Sequence, residues 1–164
     1  MTRKLGIRWT IGDVSGRGFE ALRLAVWGAY GIFGDRASYA VCVNSLPLAV
    51  AQARTGAVPE SLRWVDANAA LPSSLRPYFG SGMAQGTAWK LAPLRLFPNR
   101  HELSLDNDCV LWALPDALSS WLADEDEAVL MAEDVRACCG SFAKLCGGAP
   151  RNLGIRGLPP RFDL

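Results

Sequence analysis

The sequence predicts an α/β domain: a mainly parallel sheet with helices on both faces. Three observations predict it. Short apolar runs of strand length alternate with segments whose apolar residues recur at helical spacing. Most of the connections are short and rich in glycine, proline and turn-forming residues. Finally, Asp13, Asn44, Asp66 and the pair Asp106 and Asp108 each stand just past an apolar run. In open parallel sheets ligands bind beyond the carboxyl ends of the strands, so the same residues that mark the fold mark a candidate site.

The elements follow in order. Residues 5–11 (Leu-Gly-Ile-Arg-Trp-Thr-Ile) form the first predicted strand. A glycine-rich loop, 12–18, leads to a helix over 19–33, whose apolar face is Leu22, Ala25, Val26, Ala29 and Tyr30. Glu20 near its start suits the helix dipole. The loop has neither the Gly-Lys-Ser/Thr of a P-loop nor the dinucleotide fingerprint. A second strand spans 39–43. Pro47 then opens a helix through Arg54, with Gly56 just past its end. A third strand, 62–65, ends at Asp66. The connection over 67–87 is long enough to serve as a lid or binding loop. Residues 88–97 predict a short helix bent at Pro93. It carries Lys90 and Arg95, which read either as phosphate-facing cations or as surface charges.

The stretch from His101 to Leu111 organises the rest. Apolar residues lead into Asp106-Asn107-Asp108, and apolar residues follow. In extended geometry Asp106 and Asp108 leave the same face. Two hard oxygen donors there form part of a coordination sphere for Mg²⁺ or Mn²⁺, the remainder coming from waters and substrate phosphates. The competing reading is a plain turn, since Asp and Asn favour turns. A helix over 116–122, a solvated acidic turn over 124–127, a strand over 128–131 ending at Glu133 and Asp134, and a helix over 135–145 complete the frame. The tail from 147 is rich in glycine and proline.

Bulk properties narrow the classes. The 164 residues, half of them hydrophobic, suit one compact domain. Seventeen basic and sixteen acidic side chains give a net charge of +1, so no strong field points to nucleic acid or an anionic membrane. Five cysteines without a Cys-x-x-Cys pair, and a single histidine, do not make a zinc pattern. Cys42, Cys109, Cys138 and Cys139 read as small buried hydrophobes, which fits a reducing, cytoplasmic setting. No window reaches the roughly 18 apolar residues of a membrane span.

Taken in order, Val65-Asp66, then Trp89-Lys90-Leu91, then Leu105-Asp106-Asn107-Asp108, then Asn152-x-Gly154-Ile155 resemble the GT-A glycosyltransferases that use nucleotide sugars, especially the glycogenin-like branch. The resemblance covers about residues 5–157. It implies a Rossmann-like GT-A domain and transfer of a sugar, of hexosyl type, from a nucleoside-diphosphate sugar (a UDP-sugar first) to an acceptor the sequence does not name. It also implies roles. Asp106 and Asp108, an Asp-x-Asp motif, hold Mn²⁺ or Mg²⁺, with Asn107 beside the substrate, and Lys90 contacts phosphate or sugar. Thr10, Ile11 and Gly12 hold the base and ribose, and Asp66 lies near the nucleoside. Asn152 and Gly154 shape the sugar or acceptor pocket, and Glu133 or Asp134 supplies a carboxylate near the acceptor. Those two carboxylates read equally as the cap of the 135–145 helix. The chain departs from the family in length and in the later metal ligand, often a histidine. Three readings therefore stand: an active enzyme on one domain lacking a C-terminal part, a binding module or inactive remnant, and an interaction domain whose six tryptophans serve a partner surface.

Overall fold

The computed structural model describes residues 5–70, 73, 89–123, 128–135 and 150–162. They build an α/β fold around a six-stranded, mostly parallel sheet. The strands are β1 (Leu5–Ile11), β2 (Ala37–Val43), β3 (Leu62–Asp66), β4 (His101–Leu105), β5 (Leu130–Glu133) and β6 (Arg151–Leu158). Their order is β3-β2-β1-β4-β6-β5. β1 to β4 run parallel, whereas β6 runs antiparallel to both β4 and β5. The helices are α1 (Gly16–Phe33), α2 (Leu48–Thr55) and α3 (Asp116–Ala123).

Strand alternation decides which side chains meet the helices. Ile7, Trp9 and Ile11 of β1 point to one face with Tyr39, Val41 and Val43 of β2 and Leu103 and Leu105 of β4. Phe19, Leu22, Val26 and Ala29 of α1, Ala51 of α2, and Leu118 and Trp121 of α3 close over them. Trp9 is fully buried, with its ring stacked 6.5 Å from that of Tyr39. Burying each such large side chain contributes about 1.5–3 kcal/mol. The three described helices thus share one face, where the apolar stripes demand them. α2 starts after Pro47 and ends at Gly56, whose N–H closes onto the Gln52 carbonyl.

The opposite face of the sheet is polar and still buried. Arg8 and Glu102 are each 1% exposed, and Arg156 is buried beside them. A strap, residues 89–97, covers this face. Its expected helix does not form among the described residues, where only Trp89 is helical and the chain turns at Lys90 and Leu91. Proline removes one donor at 93, and the Leu96 and Phe97 N–H groups donate to Glu102 Oε2 at 2.7 and 2.5 Å rather than to a helix ladder. Arg95 does not face a phosphate site. Its guanidinium donates to the carbonyls of Phe162, Arg100 and Pro159, tying the strap to the chain end.

Other boundaries move. α1 begins at Gly16, which leaves Glu20 outside its first turn. β5 begins two residues later than expected, and Asp66 is the last residue of β3 rather than the residue after it. The glycine-rich tail supplies a strand, β6, that its composition concealed. The expected lid over 67–87, apart from Ala67, the 3₁₀ turn Asn68–Ala70 and residue 73, lies outside the described residues. So do the acidic turn at 124–127, residues 136–145 of the expected helix, and Cys138 and Cys139.

Candidate active site

The chain fills the sheet leftward from β1 to β3, then crosses to β4 on the other side of β1. The connections leaving β1 and β4 therefore diverge, which opens a crevice at their carboxyl ends. A cleft of about 390 Å³ lies there. It is lined by Thr10, Ile11, Gly12, Asp13 and Val14 after β1, and by Asn44 and Ser45 after β2. Trp89 and Lys90 of the strap and Asp106, Asn107 and Asp108 after β4 complete it.

β4 stops at Leu105, so Asp106 and Asp108 do not project from a strand. Asp106, Asn107 and Asp108 form a turn closed by the Cys109 N–H donating to the Asp106 carbonyl at 3.0 Å. The turn chemistry of Asp and Asn wins locally. Even so, both carboxylates line the same cleft, through the turn rather than through strand alternation. The turn is held at two further points. The Asp106 N–H donates to the Gly154 carbonyl at 2.8 Å, and Asn107 Nδ2 donates to the Gly18 carbonyl at 3.2 Å. A Cβ on Gly154 would stand 2.8 Å from Asp106 Oδ2 and 2.8 Å from Asn152 Oδ1, so only glycine lets β6 pass this close.

Lys90 grips Asp106. Its Nζ lies 2.6 Å from Oδ1 and 2.9 Å from Oδ2, with both side chains 31% exposed. Asp108 is exposed. Burial, followed by the charges of Asp106 and Asp108, pushes the half-buried Cys109 thiol up from its ordinary value. Across the cleft Asn44 is buried, and its Nδ2 donates to the Ile11 carbonyl at 3.2 Å. Asp13 is paired with Arg54 at 2.6 Å.

Of the residues singled out from sequence, Thr10, Ile11, Gly12, Lys90, Asp106, Asn107 and Asp108 come together in the cleft. Asn152 and Gly154 adjoin it through Asp106, and Asn152 Nδ2 donates to Asp134 Oδ2 at 3.2 Å. Glu133 is exposed at the end of β5. Asp66 does not line the cleft. Its Oδ1 instead accepts from the backbone and side-chain N–H of Asn68. Ser45, Val14 and Trp89 join the lining without having been expected there. The strand-end rule that picked out Asn44 extends to Ser45, its neighbour.

No group of three or more His, Cys, Asp or Glu converges as a metal site among the described residues. What the cleft offers is two carboxylates beside open space. That donor set suits a hard divalent cation, which commonly binds through one or two carboxylates and fills its sphere with waters and phosphate oxygens.

No family model matches the chain, and no curated protein matches it significantly. The fold does have a counterpart among solved structures. The chain superposes on a crystal structure of the galactosyltransferase LgtC in complex with donor and acceptor sugar analogues, with a TM-score of 0.60 and 17% identity. The match takes in 95% of this chain and 58% of that one. The chain therefore has a glycosyltransferase fold of the GT-A kind, and spans little more than half the length of that enzyme. Among the described residues no helix is long and apolar enough to cross a membrane.

Proposed function

We propose that the cleft binds a nucleoside-diphosphate sugar, a UDP-sugar first, and transfers its sugar to a hydroxyl-bearing acceptor. The observation that carries this reading is the convergence of Asp106, Asp108 and Lys90 on one cleft at the β1/β4 crevice. Asp106 and Asp108 would hold Mn²⁺ or Mg²⁺, which supplies Lewis-acid neutralisation of the diphosphate. In the transfer, the bond between the anomeric carbon and the diphosphate oxygen breaks, and a bond to the acceptor oxygen forms. The acceptor proton is released to a base.

Lys90 is the residue best placed to stabilise the departing diphosphate. Phosphate oxygens compete with Asp106 for its ammonium, and a mobile point charge suits that exchange. Thr10, Ile11 and Gly12 form the wall for the base and ribose. Asn152, held by Asp134, and Gly154 border the sugar side. Glu133 or Asp134 would supply the carboxylate near the acceptor. These roles follow from the glycogenin-like resemblance of the motifs.

A second reading has its own support. No third protein ligand for a metal occurs among the described residues, and the fold match spans only part of the neighbour. A module that binds the nucleotide sugar without turning it over fits those facts. One experiment separates the readings. Calorimetry with UDP and Mn²⁺ tests binding, and Mn²⁺-dependent release of UDP from a panel of UDP-sugars tests turnover. Binding and release that both vanish in Asp106→Ala and Asp108→Ala support the enzyme. Binding without release supports the module. No binding by the wild-type chain rejects both.

A further inference from the structure

We infer that Arg8 is the positioning residue that sets where Lys90 stands. Arg8 lies inside β1, on the polar face of the sheet, and does not line the cleft. Its side chain is 1% exposed, and each of its three guanidinium nitrogens has a partner. Nη2 donates to the backbone carbonyl of Lys90 itself at 2.7 Å, and Nη1 donates to the Pro93 carbonyl at 2.6 Å. Nε donates to Ser104 Oγ at 2.8 Å and lies 3.3 Å from Glu102 Oε1.

Glu102 completes the clamp from the neighbouring strand. Its Oε2 accepts the Leu96 and Phe97 N–H groups, so one buried ion pair pins the strap at 90, 93, 96 and 97. Gly6 and Glu102 are partners in the β1/β4 register. Phe97 sits on Gly6, where a Cβ would fall 2.3 Å from its ring. The strap is thus seated against β1 and β4, the two strands that open the crevice. Its one cation in the cleft is Lys90, whose carbonyl Arg8 holds.

Stability does not account for this pair. Two charges removed from water lose much of their solvation, and apolar residues of similar volume commonly serve a buried site as well or better. What apolar residues cannot do is hold two carbonyls of an irregular segment at fixed points. A planar guanidinium can, and a lysine, with one ammonium, spans such a pair poorly.

The inference rests on the proposed function for what Lys90 contacts, and on the structure for where Lys90 is. The test is a cycle between the pair Arg8→Met with Glu102→Leu and the single change Lys90→Met, read as UDP affinity in saturating Mn²⁺. In the wild-type background the paired substitution should weaken UDP binding by about tenfold. In the Lys90→Met background it should change binding by less than about twofold. Because the change also strips partners from four strap backbone groups, its thermal midpoint should fall, and binding is read well below that midpoint, where the chain stays folded. An equal loss in both backgrounds, or no loss in either, overturns the inference.

A second arm needs neither nucleotide nor a drastic variant. The chain has three lysines, Lys4, Lys90 and Lys144, so the ¹³Cε signal of Lys90 can be assigned by loss in Lys90→Met. Arg8→Gln, which adds no lysine, should move that signal. An unmoved Lys90 signal overturns the inference. A moved signal in a chain that binds no UDP keeps the positioning role and rejects the proposed function.

Discussion

Replacing Lys90 with methionine should move two affinities in opposite directions. In the ligand-free chain Lys90 Nζ sits within 2.6 and 2.9 Å of the two Asp106 oxygens. Any divalent cation that takes Asp106 must displace it. Both side chains are 31% exposed, so solvent screens the pair. Exposed pairs of this kind are worth about 0.2–1 kcal/mol. Taking the upper end for a lysine that reaches both oxygens, its removal should tighten Mn²⁺ binding in the absence of nucleotide by up to about fivefold. Methionine keeps the length and apolar stem of lysine while losing the charge.

With nucleotide bound, the sign reverses. The proposed role gives Lys90 a charge-assisted hydrogen bond to the diphosphate, worth about 1.5–3 kcal/mol. Lys90→Met should therefore weaken UDP binding in saturating Mn²⁺ by about 10- to 150-fold. Calorimetry measures both quantities on one preparation, and titration with Mg²⁺ in place of Mn²⁺ serves as a control. Two effects of the same sign would refute the reasoning, as would unchanged Mn²⁺ affinity without UDP. In the first case Lys90 serves the fold or the metal alone. In the second, Asp106 is not a metal ligand.

Three further outcomes are expected. Gly154→Ala places a methyl group 2.8 Å from the carboxylate of Asp106. It should cost about 1–3 kcal/mol in urea unfolding and weaken UDP binding as well. Phe19→Ala, a fully buried ring that also lies under Arg54, should cost about 3–5 kcal/mol, with wild-type-like affinity for UDP in the fraction that stays folded. The Cys42 thiol is pushed above its ordinary value near 9, chiefly by burial. The folded chain therefore keeps this proton where the unfolded chain loses it. Its contribution is fully present below the unfolded pKa and is lost as pH rises toward the folded one. Urea midpoints of wild type should fall more steeply than those of Cys42→Ala above about pH 9.

What the sequence disclosed followed from periodicity. The alternation Ile7, Trp9, Ile11 and the spacing Leu22, Val26, Ala29 reflect burial on one face, and burial leaves a readable pattern. The acidic turn was legible for the same reason, since an apolar run must end somewhere and Asp106 and Asp108 mark the end. Other features left no such trace. β6 carries Gly154 and Gly157 because Asp106 on one side and Trp121 on the other leave no room for a Cβ. A strand selected for close approach reads as a loop. The strap read as a short helix bent at Pro93, yet Glu102 and Arg8 take up the backbone groups that a helix would use. A long-range ion pair cannot be seen in a local window. The one available hint was an arginine inside an otherwise apolar strand.

The same contrast explains why the cleft lies where it does. The β1/β4 crevice follows from strand order, and it would exist with any side chains at its rim. Its chemistry comes from three connections that have nothing to do with each other in sequence. The turn after β4 supplies acid, the strap supplies the cation, and β6 supplies the close backbone that fixes Asp106 through the Gly154 carbonyl. The strap is anchored to β1 and β4 and the acidic turn to β6, so the Lys90–Asp106 distance is set by the sheet and not by either loop. If that is so, Arg8 should control the site without touching a ligand. Substitution there should raise the apparent Kd for UDP while leaving its dependence on Mn²⁺ concentration intact, whereas Asp108→Ala should abolish that dependence.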